Sequence, residues 1–287
     1  MKKRIMKIFR NLDIDVDDVI PATNSYNSNV YIVSSNDKKY VFKVNTKKSK
    51  TEVERKYMNY LHKYLKTPEV ISSGLIDEKG YIIMTFMEGE NFFDEQANEL
   101  SPAQIRNIGI LLGTMHNLKL IDSDNDSWVI YLKNALDKTQ DVLKKVFGKD
   151  NEIIYNYLNN YILNNLNDNY KNSILHMDFR IGNLIIDNDS VGLIDMESMK
   201  NGEYVFDFVK LFRVFTKSNF EELVKGYKKV RNIDSEFDSK LNFYTLFDSY
   251  TSLWWSASRN KTDSDFYKMN YKIVKGYLGD LNEKGYI

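Results

Sequence analysis

Residues 173–197 read Ser-Ile-Leu-His-Met-Asp-Phe-Arg-Ile-Gly-Asn-Leu-Ile-Ile-Asp-Asn-Asp-Ser-Val-Gly-Leu-Ile-Asp-Met-Glu, short apolar runs with carboxylates at their ends and a polar turn between them. Helical patterns lie on both sides, so the stretch is a strand, a loop and a strand set inside a helical region, and the fold must give it something to pack against. A β-hairpin with polar turns is the plain interpretation. An assembled reaction centre is the other, because these carboxylates stand at the ends of apolar strands.

The rest of the chain divides at about residue 87. Val30–Ser34 and Lys39–Val44 are β-rich runs around Ser35-Asn36-Asp37-Lys38, a hairpin pattern. A helix follows from about Thr51 to Leu65, with Val53, Tyr57, Tyr60, Leu61 and Tyr64 as an apolar stripe, closed by Thr67-Pro68. Two further strands fit Val70–Ile76 and Tyr81–Met87. Beyond Glu88-Gly89-Glu90 the chain turns helical: Ser101-Pro102 opens a helix with a serine cap and a proline in the first turn, and Ile105, Ile108, Leu111, Leu112 and Met115 line one face of it. Helical patterns also surround 128–146 and 152–166 and fill most of 205–287. The expected fold class is α+β, with residues 1–87 as a small β-sheet lobe carrying one helix and 88–287 as a larger, mostly helical lobe.

Composition narrows the chemistry. With no cysteine a thiolate site is excluded, and His62, His116 and His176 are too scattered along the chain to suggest a zinc site, so any catalytic metal is expected to be a hard one held by oxygen. The formal net charge of zero argues against a nucleic-acid partner. No apolar run is long enough to span a membrane, and the basic opening Met1–Arg10 lacks the apolar stretch of a signal peptide, so the cytoplasm is the expected address. The charge is nonetheless uneven: residues 1–87 hold 16 Lys/Arg and 10 Asp/Glu, a balance of +6 that the remainder offsets. A basic first lobe suits a polyanion and an acidic second lobe a cationic small molecule, although solvated surface charge produces the same asymmetry.

Within the 173–197 stretch, Asn183 follows Asp178 by five residues and His176 precedes it by two, the H-x-D-x-x-x-x-N spacing of a kinase catalytic loop. Phosphoryl transfer needs a carboxylate to orient or deprotonate an acceptor hydroxyl and oxygen ligands for Mg²⁺. Asp178 suits the first role and Asn183 the second. Asp195, at the end of Val191-Gly192-Leu193-Ile194, is returned by a short hairpin to the side of Asn183, where the pair can grip one metal ion. Lys43 interrupts a strand in Tyr40-Val41-Phe42-Lys43-Val44. A lone strand lysine is usually solvent-facing, but Glu54 shares a helix face with Met58 and Leu61, so it points inward where a carboxylate needs a cation. Glu52 is the competing partner and falls off that face.

The order of these features resembles the aminoglycoside phosphotransferase and choline kinase family of small-molecule kinases, over about Ser25 to Phe212. The resemblance implies a bilobal protein-kinase-like fold and ATP-dependent transfer to the hydroxyl of a small molecule. It implies Lys43 on the α/β-phosphates with Glu54 behind it, Ser28 in the glycine-poor loop before the second strand, and backbone around Thr85 and Met87 as an adenine hinge. It further implies Asn183 and Asp195 on Mg²⁺, Glu197 of Ile194-Asp195-Met196-Glu197 as a second-metal or supporting ligand, and Asp207 as a brace for the loop. His116, in Leu112-Gly113-Thr114-Met115-His116, is expected to be structural. Two positions depart from the pattern: Met177 stands where the family usually has a small residue, and Met196 replaces an aromatic. Arg180 either complements charge on the transferred group or balances Asp178 and Asp195; the second is favoured, since a nearby cation keeps the base ionised.

A eukaryotic-type protein kinase fits poorly. The prolines are Pro21, Pro68 and Pro102 only, there is no D-F-G or G-x-G-x-x-G, and the short interval from Asp195 to Asp207 leaves no room for an activation loop. An inactive nucleotide-binding protein of the same fold has no reason to keep Lys43, Asp178, Asn183 and Asp195 together. Aminoglycoside, choline, homoserine and other metabolite alcohols all remain as acceptors. Glu88, Glu90, Asp94 and Glu95, with the aromatic positions Tyr244, Phe247, Tyr250, Trp254 and Trp255, are the candidates to hold one, against the plainer expectation that the aromatic helix is core.

Overall fold

In the computed structural model, residues 1–22, 29–121, 127–167 and 173–283 are described. The chain opens with helix α1 (Lys2–Arg10) and continues through β1 (Asp18–Pro21), β2 (Asn29–Ser35), β3 (Lys38–Val44), α2 (Lys48–Leu61), β4 (Val70–Ile76) and β5 (Lys79–Thr85). The five strands form one antiparallel sheet in the order β1-β2-β3-β5-β4. Tight turns set the pairing: Asn36 and Asp37 both take positive φ (41° and 52°), as do Asp77 and Glu78 (48° and 63°), the backbone twist that two-residue hairpins need.

Side chains on β3 alternate between two environments. Phe42 and Val44 join Val33, Ile83, Ile5 and Phe9 in a core on one sheet face, which α1 covers. The charged opening of the sequence is therefore an amphipathic helix, with Ile5 and Phe9 fully buried and its lysines and arginines outward. Lys43, on the opposite face of the strand, turns toward α2. That helix starts at Lys48 and ends at Leu61, earlier than the apolar stripe suggests, and it buries Thr51, Glu54, Tyr57, Met58 and Leu61 while Tyr64 stays exposed. The face that packs is the one Glu54 lies on.

After a 3-10 turn at Asp94–Glu99 come α3 (Pro102–Asn117), α4 (Trp128–Asp137), α5 (Gln140–Phe147), α6 (Asp150–Asn165), β6 (Ser173–Leu175), β7 (Leu184–Asp187), β8 (Ser190–Leu193) and β9 (Lys200–Gly202). The chain ends through α7 (Val209–Val214), α8 (Lys217–Lys228), α9 (Phe237–Ala257) and α10 (Asp265–Glu283). Two contact-dense units emerge. The first gathers residues 1–115, 176–200 and 214–231; the second gathers 116–175, 201–213 and 232–287.

The second unit has a core of aromatic residues threaded by buried polar groups. Tyr244, Phe247 and Tyr250 are buried, which makes that face of α9 core, while Trp254 and Trp255 are half-buried. Trp128 Nε1 donates to the Tyr244 hydroxyl at 2.8 Å, and that hydroxyl donates to Glu203 at 2.6 Å. Burial, with the Glu203 charge beside it, raises the Tyr244 phenol well above its ordinary range. Lys240, also buried, meets Glu203 at 2.7 Å and Glu236 at 2.9 Å. His116 and Asp207 are both buried and meet at 3.3 Å, so His116 has a structural partner.

Candidate active site

All the chemistry-bearing residues that can be placed belong to the first unit. The hairpin β7–β8 has Asn183 and Asp195 at its two ends, and its register is Asp187 opposite Ser190 through Leu184 opposite Leu193. One step beyond the Leu184–Leu193 pair, the Ile194 N–H donates to the Asn183 carbonyl at 3.0 Å. The strand ends thereby bring Asn183 and Asp195 side by side, as their spacing predicts. Asp187 and Asp189 fall at the turn.

Before the hairpin, the loop from His176 to Asn183 is folded onto itself. His176 is fully buried and its Nε2 lies 2.9 Å from the Ile194 carbonyl oxygen, which ties the loop to the strand leading to Asp195. The Asn183 amide nitrogen donates to the Asp178 carbonyl at 2.8 Å and to Asp178 Oδ2 at 3.0 Å. Arg180 Nε stands 3.7 Å from the same Oδ2. Its guanidinium donates to Asp94 Oδ2 at 3.1 Å. Burial opposes its charge, but Asp178 and Asp94 outweigh that and raise the guanidinium's pKa further. Arg180 thus sits as a counter-ion to the loop's carboxylates.

Two residues here adopt left-handed backbone: Met177 at φ 69° and Asp195 at φ 65°. Side chains other than glycine reach that region at a cost of about 1–2 kcal/mol, and such strain collects where the surrounding structure fixes a functional group. Glycine would adopt the Met177 conformation without that cost.

A second cluster closes over Asp195. Lys43 Nζ lies 2.8 Å from Glu54 Oε1, 2.7 Å from Asp195 Oδ1 and 3.4 Å from Glu197 Oε2. Burial by itself would strip Lys43 of its proton; the three carboxylates more than offset this and hold it charged, above its ordinary value. The other oxygen of Glu54 accepts from Asn45 Nδ2 at 2.9 Å. Lys50 grips Glu197 from the first turn of α2.

The hairpin is fixed from several sides. Asn91 Nδ2 donates to the carbonyls of Gly182 and Leu184, both at 2.9 Å, and Asp94 Oδ1 accepts the Gly182 N–H at 3.4 Å. Glu90 exchanges two backbone hydrogen bonds with Ile186, at 2.7 and 2.8 Å. Gly89 makes this approach possible: its φ is 134°, and a Cβ there would lie 2.8 Å from the Ile186 carbonyl oxygen. Gln104 and Asn107 of α3 donate to the carbonyls of Asn188 and Asp189 in the turn.

Thr85 ends β5, donating its N–H to the Glu69 carbonyl and accepting the Glu69 N–H on its hydroxyl, both at 2.9 Å. Strand β5 stops here, two residues short of the expected Met87; the Phe86 N–H still donates to the Lys39 carbonyl of β3 at 3.3 Å. Met87 packs its methyl group against Gly192 of β8, where a Cβ would overlap it. The structure therefore brings Lys43, Glu54, Asp195 and Glu197 into one cluster and Asp178 and Asn183 into an adjoining one, with Met87 against the hairpin. Ser28 lies outside the described residues.

The donor set suits Mg²⁺. Asn183 spends its amide nitrogen on Asp178 and keeps a neutral oxygen, while Asp195 offers a carboxylate whose side chain is 37% exposed. Among the described residues no three carboxylates or histidines form a closed metal cage. An open pair of oxygen ligands is what a cation that keeps waters and shares substrate phosphates requires.

Sequence reasoning missed Lys50, Asn45, Asn91 and Asp94 as members of this machinery. Lys50 had a signal: it precedes Glu54 by four residues and so shares its helix face. Asn45 had one too, two residues beyond Lys43 on the same strand face. Asp94 stood among the acidic candidates for holding a substrate, and in the structure it accepts from Arg180 and from the Gly182 N–H.

A family model described as phosphotransferase enzyme family matches residues 19–237. No curated protein sequence matches the chain. Among solved structures, a thermostable mutant of aminoglycoside phosphotransferase APH(4)-Ia, in a ternary complex with ADP and hygromycin B, superimposes with a TM-score of 0.74 at 14% identity, covering 97% of each chain. APH(2")-IIIa in complex with GDP and kanamycin gives 0.73 at 13% identity, covering 97% of this chain and 98% of that one. A protein described as a fructosamine-3-kinase, from Haemophilus somnus 129PT, gives 0.72 at 14%, covering 96% and 97%. At these identities the likeness establishes the fold, the α+β kinase-like fold expected from the sequence.

Proposed function

Because this chain belongs to the phosphotransferase enzyme family and is a small-molecule kinase, we propose that it moves the γ-phosphoryl group of ATP to a hydroxyl of a cationic small molecule, with an aminoglycoside as the first candidate acceptor. The observation that carries this reading is the hydrogen bonding of Asn183 to Asp178, with the Ile194 N–H on the Asn183 carbonyl setting Asp195 beside it and Lys43 against Asp195 at 2.7 Å.

In this reading Asp178 accepts the acceptor hydroxyl's proton, with Arg180 beside that carboxylate as its counter-ion. Lys43, charged and oriented by Glu54, binds the α/β-phosphates. Backbone at Thr85 and Met87 seats the adenine, and Met87, lying against Gly192, joins that seat to the hairpin. Asn183 and Asp195 would hold Mg²⁺, which neutralises charge on the phosphates when bound. Residues 1–87 then form the nucleotide lobe and 88–287 the lobe that supplies the base and the acceptor site.

The acidic balance of residues 88–287 suits a cationic acceptor, choline nearly as well as an aminoglycoside, and the hygromycin B and kanamycin bound to two proteins of the same fold make an aminoglycoside the first to test. The test is a coupled assay of ADP release, with and without Mg²⁺, across aminoglycosides, macrolides, choline, homoserine and fructosamines. Acceptor-stimulated, Mg²⁺-dependent turnover is expected with at least one amino-sugar. Nucleotide binding without turnover on any acceptor would favour an inactive nucleotide-binding protein.

A further inference from the structure

The Lys43 ammonium carries three N–H donors and faces three carboxylates, but it does not meet them evenly. Glu54 Oε1 and Asp195 Oδ1 lie at 2.8 and 2.7 Å, within the range of a charge-assisted hydrogen bond, whereas Glu197 Oε2 stands off at 3.4 Å. Glu197 is buried, so its charge needs a cation close by. Lys50 supplies it: its Nζ meets Glu197 Oε1 and is the nearer of the two ammonium groups. Lys50 precedes Glu54 by four residues on α2, so one helix face presents a cation to Glu197 and an anion to Lys43. Were Lys50 absent, Glu197 would stay buried and its pull would fall on Lys43. Asp195 can release Lys43, because its side chain is 37% exposed and keeps access to solvent. A buried Glu197 closed onto Lys43 would not, because parting a buried pair strands a charge.

We infer that Lys50 is a positioning residue for the nucleotide phosphates: by engaging Glu197 it keeps that carboxylate off Lys43 and leaves the Lys43 ammonium able to turn to the α/β-phosphates. Lys50 touches no phosphate itself and acts through Glu197. The inference rests on the assignment of Lys43 to the phosphates proposed above.

The readout is what the phosphates contribute to binding: the ratio of the Kd for adenosine to the Kd for ADP, from calorimetric titration at one fixed, saturating Mg²⁺ concentration. Lys50→Met is expected to lower that ratio about tenfold or more while the Kd for adenosine stays within about threefold of native. Lys50→Arg keeps a cation on Glu197 and is expected to hold the native ratio to within about threefold. Combining Lys50→Met with Glu197→Gln removes the stranded carboxylate and is expected to restore the ratio to that same range. An unchanged ratio in Lys50→Met, or equal weakening of adenosine and ADP, overturns the inference. A double variant no better than Lys50→Met also overturns it, since Lys50 would then act on the phosphates directly. Should Lys50→Met not fold, Glu197→Gln alone decides: a ratio at or above native upholds the inference, and a lower one refutes it. Lys43→Met tests the premise separately; a native ratio in that variant would remove Lys43 from the phosphates and take this inference with it.

Discussion

Asp94 and Arg180, 86 residues apart in the chain, meet through a hydrogen bond of 3.1 Å, and the same carboxylate reaches the Gly182 N–H at 3.4 Å. One acidic side chain thus pins the proposed catalytic loop at two points while drawing Arg180 to within 3.7 Å of Asp178. Asp94→Ala removes both anchors. A hydrogen bond to a charged group is worth about 1.5–3 kcal/mol, so kcat is expected to fall about tenfold to a hundredfold with little change in nucleotide affinity. Steady-state kinetics alongside nucleotide titration check this; an equal loss in both would mean that Asp94 serves the fold generally.

Asp178→Asn keeps the shape of the loop and removes the base. General-base catalysis contributes about 10²–10⁴-fold, and turnover is expected to drop by that order with the Kd for ATP nearly intact. Near-normal turnover would eliminate Asp178 from the chemistry.

Lys43 gives a signature in alkaline unfolding. Its folded pKa is raised, so above the ordinary lysine value of about 10.4 the unfolded chain releases the proton while the folded chain keeps it. The folded state then binds more protons, and the stability Lys43 contributes, fully present below that value, is lost as pH rises toward the folded pKa. Urea unfolding from pH 8 to 11 is expected to show a steeper decline for the native chain than for Lys43→Met. Parallel curves would contradict it.

Met177→Gly relieves the left-handed backbone at φ 69°. The gain of about 1–2 kcal/mol is partly offset by the greater freedom glycine gives the unfolded chain. A net stabilisation of about 0.5–1 kcal/mol is expected, visible as a rise in Tm; a fall would show that the Met177 side chain contributes more than its backbone strain costs.

What the sequence disclosed and what it hid divide along physical lines. The apposition of Asn183 and Asp195 was legible because hairpin register follows from alternation and turn length, and the inward turn of Glu54 because helix faces repeat every three to four residues. Lys43 was legible only through Glu54. The Asp94–Arg180 and Lys50–Glu197 pairs were not, since they join elements 86 and 147 residues apart and no local pattern encodes such meetings. Helix α1 was hidden by composition: five basic residues in ten mask the spacing of Ile5 and Phe9. Met177 showed only as an unusual residue, without its positive φ.

The first unit is stitched from three separate stretches, 1–115, 176–200 and 214–231. During synthesis, therefore, the sheet that carries Lys43 and Glu54 leaves the ribosome well before the hairpin that carries Asp195 and Glu197. Until residue 197 emerges, Lys43 has only Glu54 as its carboxylate, and the chain must hold the place of the hairpin open while some sixty residues of the second unit pass through. Closing contacts over such separations is intrinsically slow, so this protein spends part of its birth with an incomplete charge cluster and exposed hairpin-binding surface. That interval is when chaperones would matter most to it.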